Sequence, residues 1–501
     1  MSTGAPLACR RAAVLSDLLQ QKFDPDTAEA NHRQLYRILQ QAILSGELPA
    51  GTQLPPTRLL ACDLGIARNT VIQVYEQLGI EGYVHTGVGR GTFVADTAPD
   101  RIAGFDLITA PARRGNDGGS LSCRGKVLLE NAGAGKRQWG GFVPGVPDVT
   151  QFPARVWSRI ESRLWRRLSP EMMSYASGGG YAPLREVLVD YLRTARGVRC
   201  DPRQVLITTG THHSLHLLTH LLADFGDGVW LEEPGYWGAR SLLQIAGLDI
   251  TAVPVDEQGM NPGELPLRRV PRFIFVSPSH QFPLGSVMSL ARRRELLEYA
   301  KSTNAWIIED DYDSEFRYGC RPLPSLQGLD DGGRVIYLGT LSKIMFPGLR
   351  LAYMVVPENL VDGFALGLME LYREGHLAPQ AVLAEFIREG HFASHIRRMR
   401  TIYSERRVTL IEAIHEHFGD ALPVIGSAAG LHLVLGLPGD VDDQALSARA
   451  LAHGIVARPL SLYYCDKRQA RRGLVLGYGC VARDEIPREF ARLATVIREC
   501  L

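Results

Sequence analysis

"YLGTLSKIMFPGLRLAYMVVP" (Tyr337–Pro357) holds a lysine in an unusual place. Lys343 lies between two apolar, strand-like segments, Val335–Leu338 and Leu349–Val356, in a stretch rich in Gly, Ser and Thr. A solvated lysine has no need of such neighbours. A desolvated lysine with a lowered pKa is the side chain that forms Schiff bases with aldehydes. Taken alone, Lys343 is better explained as a surface residue, so its surroundings in the chain must decide.

Working outward, apolar strand-like runs alternate with helix-length segments. "QVLITTG", "GVWLEE", "RFIFVSP", "AWIIEDD" and "RVIYLGT" recur from about Phe142 to the end. This alternation predicts an α/β domain with a mostly parallel sheet covered on both faces. "AWIIEDDYDSEFRY" (Ala305–Tyr318) is a strand ending in acids, and its Asp310 lies 343 − 310 = 33 residues before Lys343. That is one strand-crossover-strand unit, which places both at carboxyl ends of strands, where open α/β sheets bind ligands. Tyr312 shares the Asp310 strand end, and "LEEPGYWGAR" offers Tyr236 after another strand. In "LITTGTHHSLHLL" a Gly turn opens a helix, and the amides of Gly210, Thr211 and His212 suit a phosphate there. Thr340 adds a hydroxyl and Arg350 a charged fork. An amine, a carboxylate for a ring nitrogen, a phenol donor, a stacking aromatic and a phosphate cup together describe a site for pyridoxal 5′-phosphate (PLP). Each feature has an ordinary structural explanation, but five in this order on successive strand ends make coincidence improbable.

The chain has 501 residues, 45% hydrophobic and 22% charged, which suggests two or more domains. A net charge of +1 gives no sign of nucleic-acid or membrane partners from bulk electrostatics. Eight scattered cysteines show no metal-ligand spacing, so no metal is expected and reduced thiols in a cytoplasm are. The start, "MSTGAPLACRRAAVLSDLL", lacks the pattern of a signal peptide, and no apolar run approaches a membrane span of about 18 residues. "APARRGNDGGSLSCRGK" (Ala110–Lys126) has no hydrophobic period and reads as linker. We therefore expect a small domain over 25–97, a linker over 98–137 and a large domain over 138–501.

In the small domain, "TRLLACDLGIARNTVIQVYEQL" splits into two helices around Gly65, with Thr57 as the N-cap of the first. Val71, Val74, Tyr75 and Leu78 share one face of the second, and "GYVHTGVGRGTFV" reads as a two-stranded wing. Arg68, Asn69 and Thr70 open the second helix, where a helix-turn-helix meets base edges. Residues 1–97 carry eight Lys/Arg against nine Asp/Glu, a net of −1, so a merely solvated helical face stays open on physical grounds.

"LPPTRLLACDLGIARNTVIQVYEQLGIEGYVHTGVGRGTFV" closely resembles the GntR-type winged helix-turn-helix along its whole length. The resemblance implies DNA contacts by Arg58, Arg68, Asn69 and Thr70, with Gly89, Arg90 and Gly91 of the wing near the minor groove. Ala67 stands where that pattern offers a Ser or Thr cap, and Ile72 replaces a polar residue. The segments "FVPGVPD", "ITTGTHH", "EEPGYWGAR", "SPSHQFPLG", "EDDYDSEFRY" and "GTLSKIMFPGLRLAYMVVP" resemble fold-type-I aminotransferases. More narrowly, the chain resembles the MocR subfamily of GntR regulators, which fuse the two domains. This implies a PLP-dependent regulator with a smaller C-terminal α+β part, binding an operator as a homodimer with heads packed across onto the partner. Lys343 would carry the cofactor, Asp310 its pyridine nitrogen and Tyr312 its phenolic oxygen, with Tyr236 on the ring face. Thr211, His212, Thr340 and Arg350 would hold the phosphate, with Tyr175 reaching the partner's. Aminotransferases place Asn just before Pro283; Phe282 stands there, leaving His280 or Gln281 to substitute.

Two anion-binding arginines of that family pattern are absent. Val475 of "RGLVLGYG" occupies the place of the arginine that grips a substrate carboxylate. Gly238 occupies the place of a second, used by the GABA-responsive member; Arg240, Arg471 or Arg472 could reach in instead. A buried anion without a partner is costly. Transamination is therefore expected to be feeble, and GABA is not expected as ligand. PLP itself is the expected effector, in control of vitamin B6 synthesis or salvage. The alternatives are an amino acid or sulfonate effector, or a working aminotransferase with an appended DNA-binding domain.

Overall fold

A computed structural model describes residues 19, 22–24, 27, 29–87, 91–96, 121–130, 139–176, 178–264, 269–319, 324–373, 375–426 and 428–501. The chain divides into two compact units, residues 1–120 and 121–501.

In the first unit, α1 (Asn31–Leu44) buries Leu35, Ile38, Leu39 and Ala42, an i, i+3, i+4, i+7 stripe. Helix α2 (Thr57–Asp63) leads to α3 (Arg68–Ile80), whose buried Val71, Val74, Tyr75 and Leu78 meet that stripe. A hairpin of β1 (Val84–Gly87) and β2 (Gly91–Val94) closes the core with Val84 and Val94. The Tyr75 hydroxyl donates to the Pro55 carbonyl at 2.9 Å, tying α3 to the start of α2. Thr57 is not the N-cap. Pro56 holds that position, with the Leu59 and Leu60 amides on its carbonyl, so Thr57 is the first helical residue. Proline's fixed φ suits the turn into a helix, and no side-chain cap is present. Ala67 likewise caps α3 without a side-chain bond.

The second unit is built on an eight-stranded sheet ordered β3-β10-β9-β8-β7-β4-β5-β6. The strands are β3 (Val205–Thr208), β4 (Gly228–Glu233), β5 (Asp249–Asp256), β6 (Gly259–Met260), β7 (Phe273–Val276), β8 (Trp306–Asp311), β9 (Val335–Thr340) and β10 (Ala352–Val355). The central run β5-β4-β7-β8-β9 is parallel, and β10 lies antiparallel between β9 and β3. Strands β3, β7, β8, β9 and β10 are buried at every residue, as sheets covered on both faces require. A smaller antiparallel sheet follows, ordered β11 (Val424–Ile425), β12 (His432–Gly436), β14 (Gly473–Gly477), β13 (Arg458–Pro459). Its Leu433, Leu435, Leu474 and Leu476 pack with helices His391–Phe418 and Ile486–Arg498 into a second core.

The segment expected to be linker contains a helix, Cys123–Glu130. It packs on helix Trp237–Ile245, and its Arg124 guanidinium sits 6.0 Å from the centre of the Phe225 ring. The run carries Val127, Leu128 and Leu129, an apolar signal too short to show a period.

Candidate cofactor site and DNA-reading helix

Lys343 follows β9, and its amine donates to the Gly145 carbonyl at 2.7 Å. Burial lowers its pKa, opposed by the charges of Asp313 and Asp310, while Arg458 lowers it further. Gly145 is left-handed, φ 68°, a conformation that favours glycine, and this turn of "FVPGVPD" presents its carbonyl to Lys343. Gly145 has no side chain by which the sequence alone would mark it as part of the site.

Asp310 is the last residue but one of β8, beside Leu338 of β9, so the parallel register brings the acid and the amine to the same end of the sheet. Burial raises the Asp310 carboxyl to about 7, with Asp311 adding and Lys343 opposing. Asp311 points elsewhere: it accepts from Arg196 at 2.6 Å and from the Tyr337 hydroxyl at 2.5 Å. Neighbouring residues on a strand face opposite ways, so only one of the two acids serves the site.

Tyr312 is bonded to His280, whose Nδ1 lies 2.9 Å from the phenol and 2.9 Å from Asp313 Oδ1. With Nδ1–H given to the carboxylate, the Tyr312 hydroxyl keeps its own proton to donate. Gln281 is turned away, with its amide on the Pro234 and Phe282 carbonyls at 2.7 and 2.8 Å. Of the two residues considered for the missing asparagine, His280 is the one joined to Tyr312. Phe282 stands edge-on to both Tyr236 and Tyr312, with ring centres 6.1 and 5.8 Å away.

Tyr236 precedes helix Trp237–Ile245, and its hydroxyl is 2.9 Å from His212 Nε2. A Cβ on Gly238 would come within 2.4 Å of the Tyr236 ring and 2.6 Å of His212 Nε2. Glycine at 238 is thus the condition for this aromatic to fold back over the helix start. Desolvation of its ring and the Arg350 charge lower the His212 pKa. Gly210 and Thr211 open helix Thr211–Leu222, and a Cβ on Gly210 would sit 3.2 Å from Arg350 Nη2. Arg350 reaches that place from a left-handed residue, φ 51°, just ahead of β10. Thr340 is buried at the end of β9 and accepts from the Ser342 amide. Tyr175 stands apart, 78% exposed.

In the first unit, Arg58, Arg68 and Asn69 are exposed and Thr70 half-buried, at the starts of α2 and α3. A Cβ on Gly91 would strike the Gln53 side chain at 2.8 Å. Gly89 and Arg90 lie outside the described residues.

Residues 31–94 match the bacterial regulatory proteins of the gntR family, and residues 147–473 match aminotransferase class I and II. The chain is 40% identical to the probable rhizopine catabolism regulatory protein MocR of Rhizobium meliloti, over 91% of each chain. It belongs to the MocR-type GntR regulators. It is also 29% identical to the pyridoxine biosynthesis transcriptional regulator PdxR of Corynebacterium glutamicum, over 93% of this chain and 95% of that one. An archaeal alanine:glyoxylate aminotransferase superposes with a TM-score of 0.68 at 26% identity, covering 76% of this chain and 96% of that one. MocR-type chains couple a DNA-binding head to an aminotransferase-like domain of the fold that binds PLP. The donor set fits that cofactor: an amine, a carboxylate, a phenol and a guanidinium surround glycines whose Cβ atoms would crowd the cradle. Among the described residues no acidic or thiol cluster suits a metal, and no helix is long and apolar enough to cross a membrane.

Proposed function

We propose that this regulator carries PLP on Lys343 and that the state of this site sets its affinity for an operator. The observation that carries the reading is that the buried Lys343 amine and the Asp310 carboxyl lie at the carboxyl ends of adjacent parallel strands, close enough for each charge to act on the other. PLP supplies an electrophilic carbon that holds a primary amine. Asp310 keeps the pyridine nitrogen protonated, Tyr312 donates to the phenolic oxygen with His280 and Asp313 orienting it, and Tyr236 covers the ring. Gly210, Thr211, His212, Thr340 and Arg350 form the phosphate cup. The protein works as a cytoplasmic homodimer with domains at 25–97 and 138–501, the heads packed across onto the partner. The exposed Tyr175 is available to reach the partner's phosphate.

In one reading the effector is an amino acid or sulfonate that exchanges with Lys343. A second reading has PLP itself as effector, in control of B6 genes. Val475 and Gly238 favour it, as does the likeness to PdxR. The purified protein should show an imine absorption that borohydride fixes to the chain, and Lys343→Ala should abolish it. Persistence of the adduct in that variant refutes the assignment. Titrating the apoprotein with PLP while following operator binding separates the effector readings. A change in affinity supports PLP as effector; no change, with a response of the holo form to amines, supports the first.

A further inference from the structure

Helix Ala154–Trp165 of the second unit has two unlike faces. Val156, Trp157, Ile160 and Leu164 pack into the core shared with helix Leu377–Arg388. Away from them, Arg155, Arg159 and Arg166 stand at i, i+4 and i+11, which the helical period stacks along one line of about 16 Å. All three are exposed, and none has an ion-pair or hydrogen-bond partner among the described residues. Arg163, on the flank of the line, is held by Glu389 and Glu385. Residues 154–169 carry five arginines and one acid, Glu161, a net of 5 − 1 = +4 in a chain whose total is +1.

The fold gains nothing from this arrangement. Arg155 is the second residue of the helix, where the macrodipole disfavours a cation. Arg155 and Arg159 are like charges four residues apart, a spacing that destabilises a helix. Elsewhere on this unit surface arginines are paired, as Arg203 is with Asp362 and Arg483 with Glu405, both at 3.3 Å. A polyanion is what relieves such a line of free cations.

We propose that this stripe is a second, sequence-independent contact with duplex DNA, made by the large domain outside the footprint of the head. Charge complementarity selects the partner. The chain belongs to a family of DNA-binding regulators, yet its first 97 residues have a net charge of −1. Guanidinium forks match phosphate oxygens, and the exposed Ser158 and Ser162 beside the line offer hydroxyl donors to the same backbone. Contacts of this kind add affinity and read no bases, so the choice of sequence stays with α3.

In the test, full-length protein first selects an operator from a random duplex library. That operator is then used bare and with scrambled flanks of about 20 base pairs, roughly 70 Å of added duplex on each side. Fluorescence anisotropy over a salt series compares the wild type with two triple variants. One carries Arg155→Gln, Arg159→Gln and Arg166→Gln; the other carries Arg155→Lys, Arg159→Lys and Arg166→Lys. For the wild type, the slope of log affinity against log salt should be steeper on the flanked duplex by about 2.7 per chain, roughly 0.9 for each of three phosphates. Doubling the salt then weakens the flanked complex about six-fold more than the bare one. The glutamine variant should lose this increment and bind the bare operator as the wild type does, and the lysine variant should keep it. Equal slopes on both duplexes in the wild type, or an increment that survives the glutamine changes, overturn the proposal. A loss in the glutamine variant that is as large on the bare operator also overturns it, because that loss belongs to the head or the fold. Should no operator emerge from the selection, the reading of α3 fails, while the stripe is still judged by the same comparison on random duplexes of the two lengths.

Discussion

Asp310 is the residue at which this site is most sharply balanced. Its carboxyl, ordinarily near 3.8, is raised to about 7, chiefly by burial. A raised folded-state value means the contribution to stability is fully present below the unfolded value and is lost as pH rises through about 7. The full loss is bounded by about 4 kcal/mol. PLP reverses the balance, since a protonated ring nitrogen favours the ionised carboxylate. Asp310→Asn should therefore stabilise the apoprotein at pH 8.5, with the gain fading towards pH 4, while weakening PLP retention. Denaturant midpoints of variant and wild type across that range check it. Glu232, raised to about 8 by burial, titrates in the same window, so only the difference between the two proteins isolates Asp310.

At the scale of elements, the start of helix Trp237–Ile245 shows how a family position can change its use. An arginine at 238 is the feature of the GABA-responsive pattern, yet here any side chain there collides with Tyr236 and His212. Gly238→Ala should cost cofactor retention by about 1–3 kcal/mol, the usual scale of overpacking. The rate of PLP loss on dilution measures it, and retention equal to wild type would show that Tyr236 has room to move. The strand ends carrying Lys343, Asp310 and Tyr236 were legible in the sequence because short continuous apolar runs stop where polar groups begin. Arg458 was not. Its strand has two residues, and its place beside Val475 is a matter of register, which sequence spacing does not encode. The helix Cys123–Glu130 was missed for a related reason, since eight residues give too little periodicity against a background of Gly and Ser. Pro56 as cap of α2 was masked by Thr57, a better cap by residue type but one position too late.

For the whole molecule, the balance of charge limits how DNA can be held. The first 97 residues carry eight basic and nine acidic side chains. Two of the basic ones are occupied at home, Lys22 with Glu47 at 2.7 Å and Arg37 with Glu29 at 2.8 Å. With Arg10 and Arg11, which precede the small domain, set aside, Arg33, Arg58, Arg68 and Arg90 remain to meet phosphates or bases. Four phosphate contacts per head give a slope of log affinity against log salt of about −3.6, and two heads about −7. Base-reading contacts reduce that count, so the measured slope should be shallower than −7 for a dimer. Specificity must then come from a few contacts at the start of α3. Arg68→Ala should lower the preference for operator over random DNA by about 1–3 kcal/mol, the worth of one bidentate base contact. Fluorescence anisotropy on both DNAs over a salt series reads slope and preference together. A slope much steeper than −7 would mean that basic surface beyond the head engages DNA, and an unchanged preference in Arg68→Ala would remove α3 from the reading of sequence.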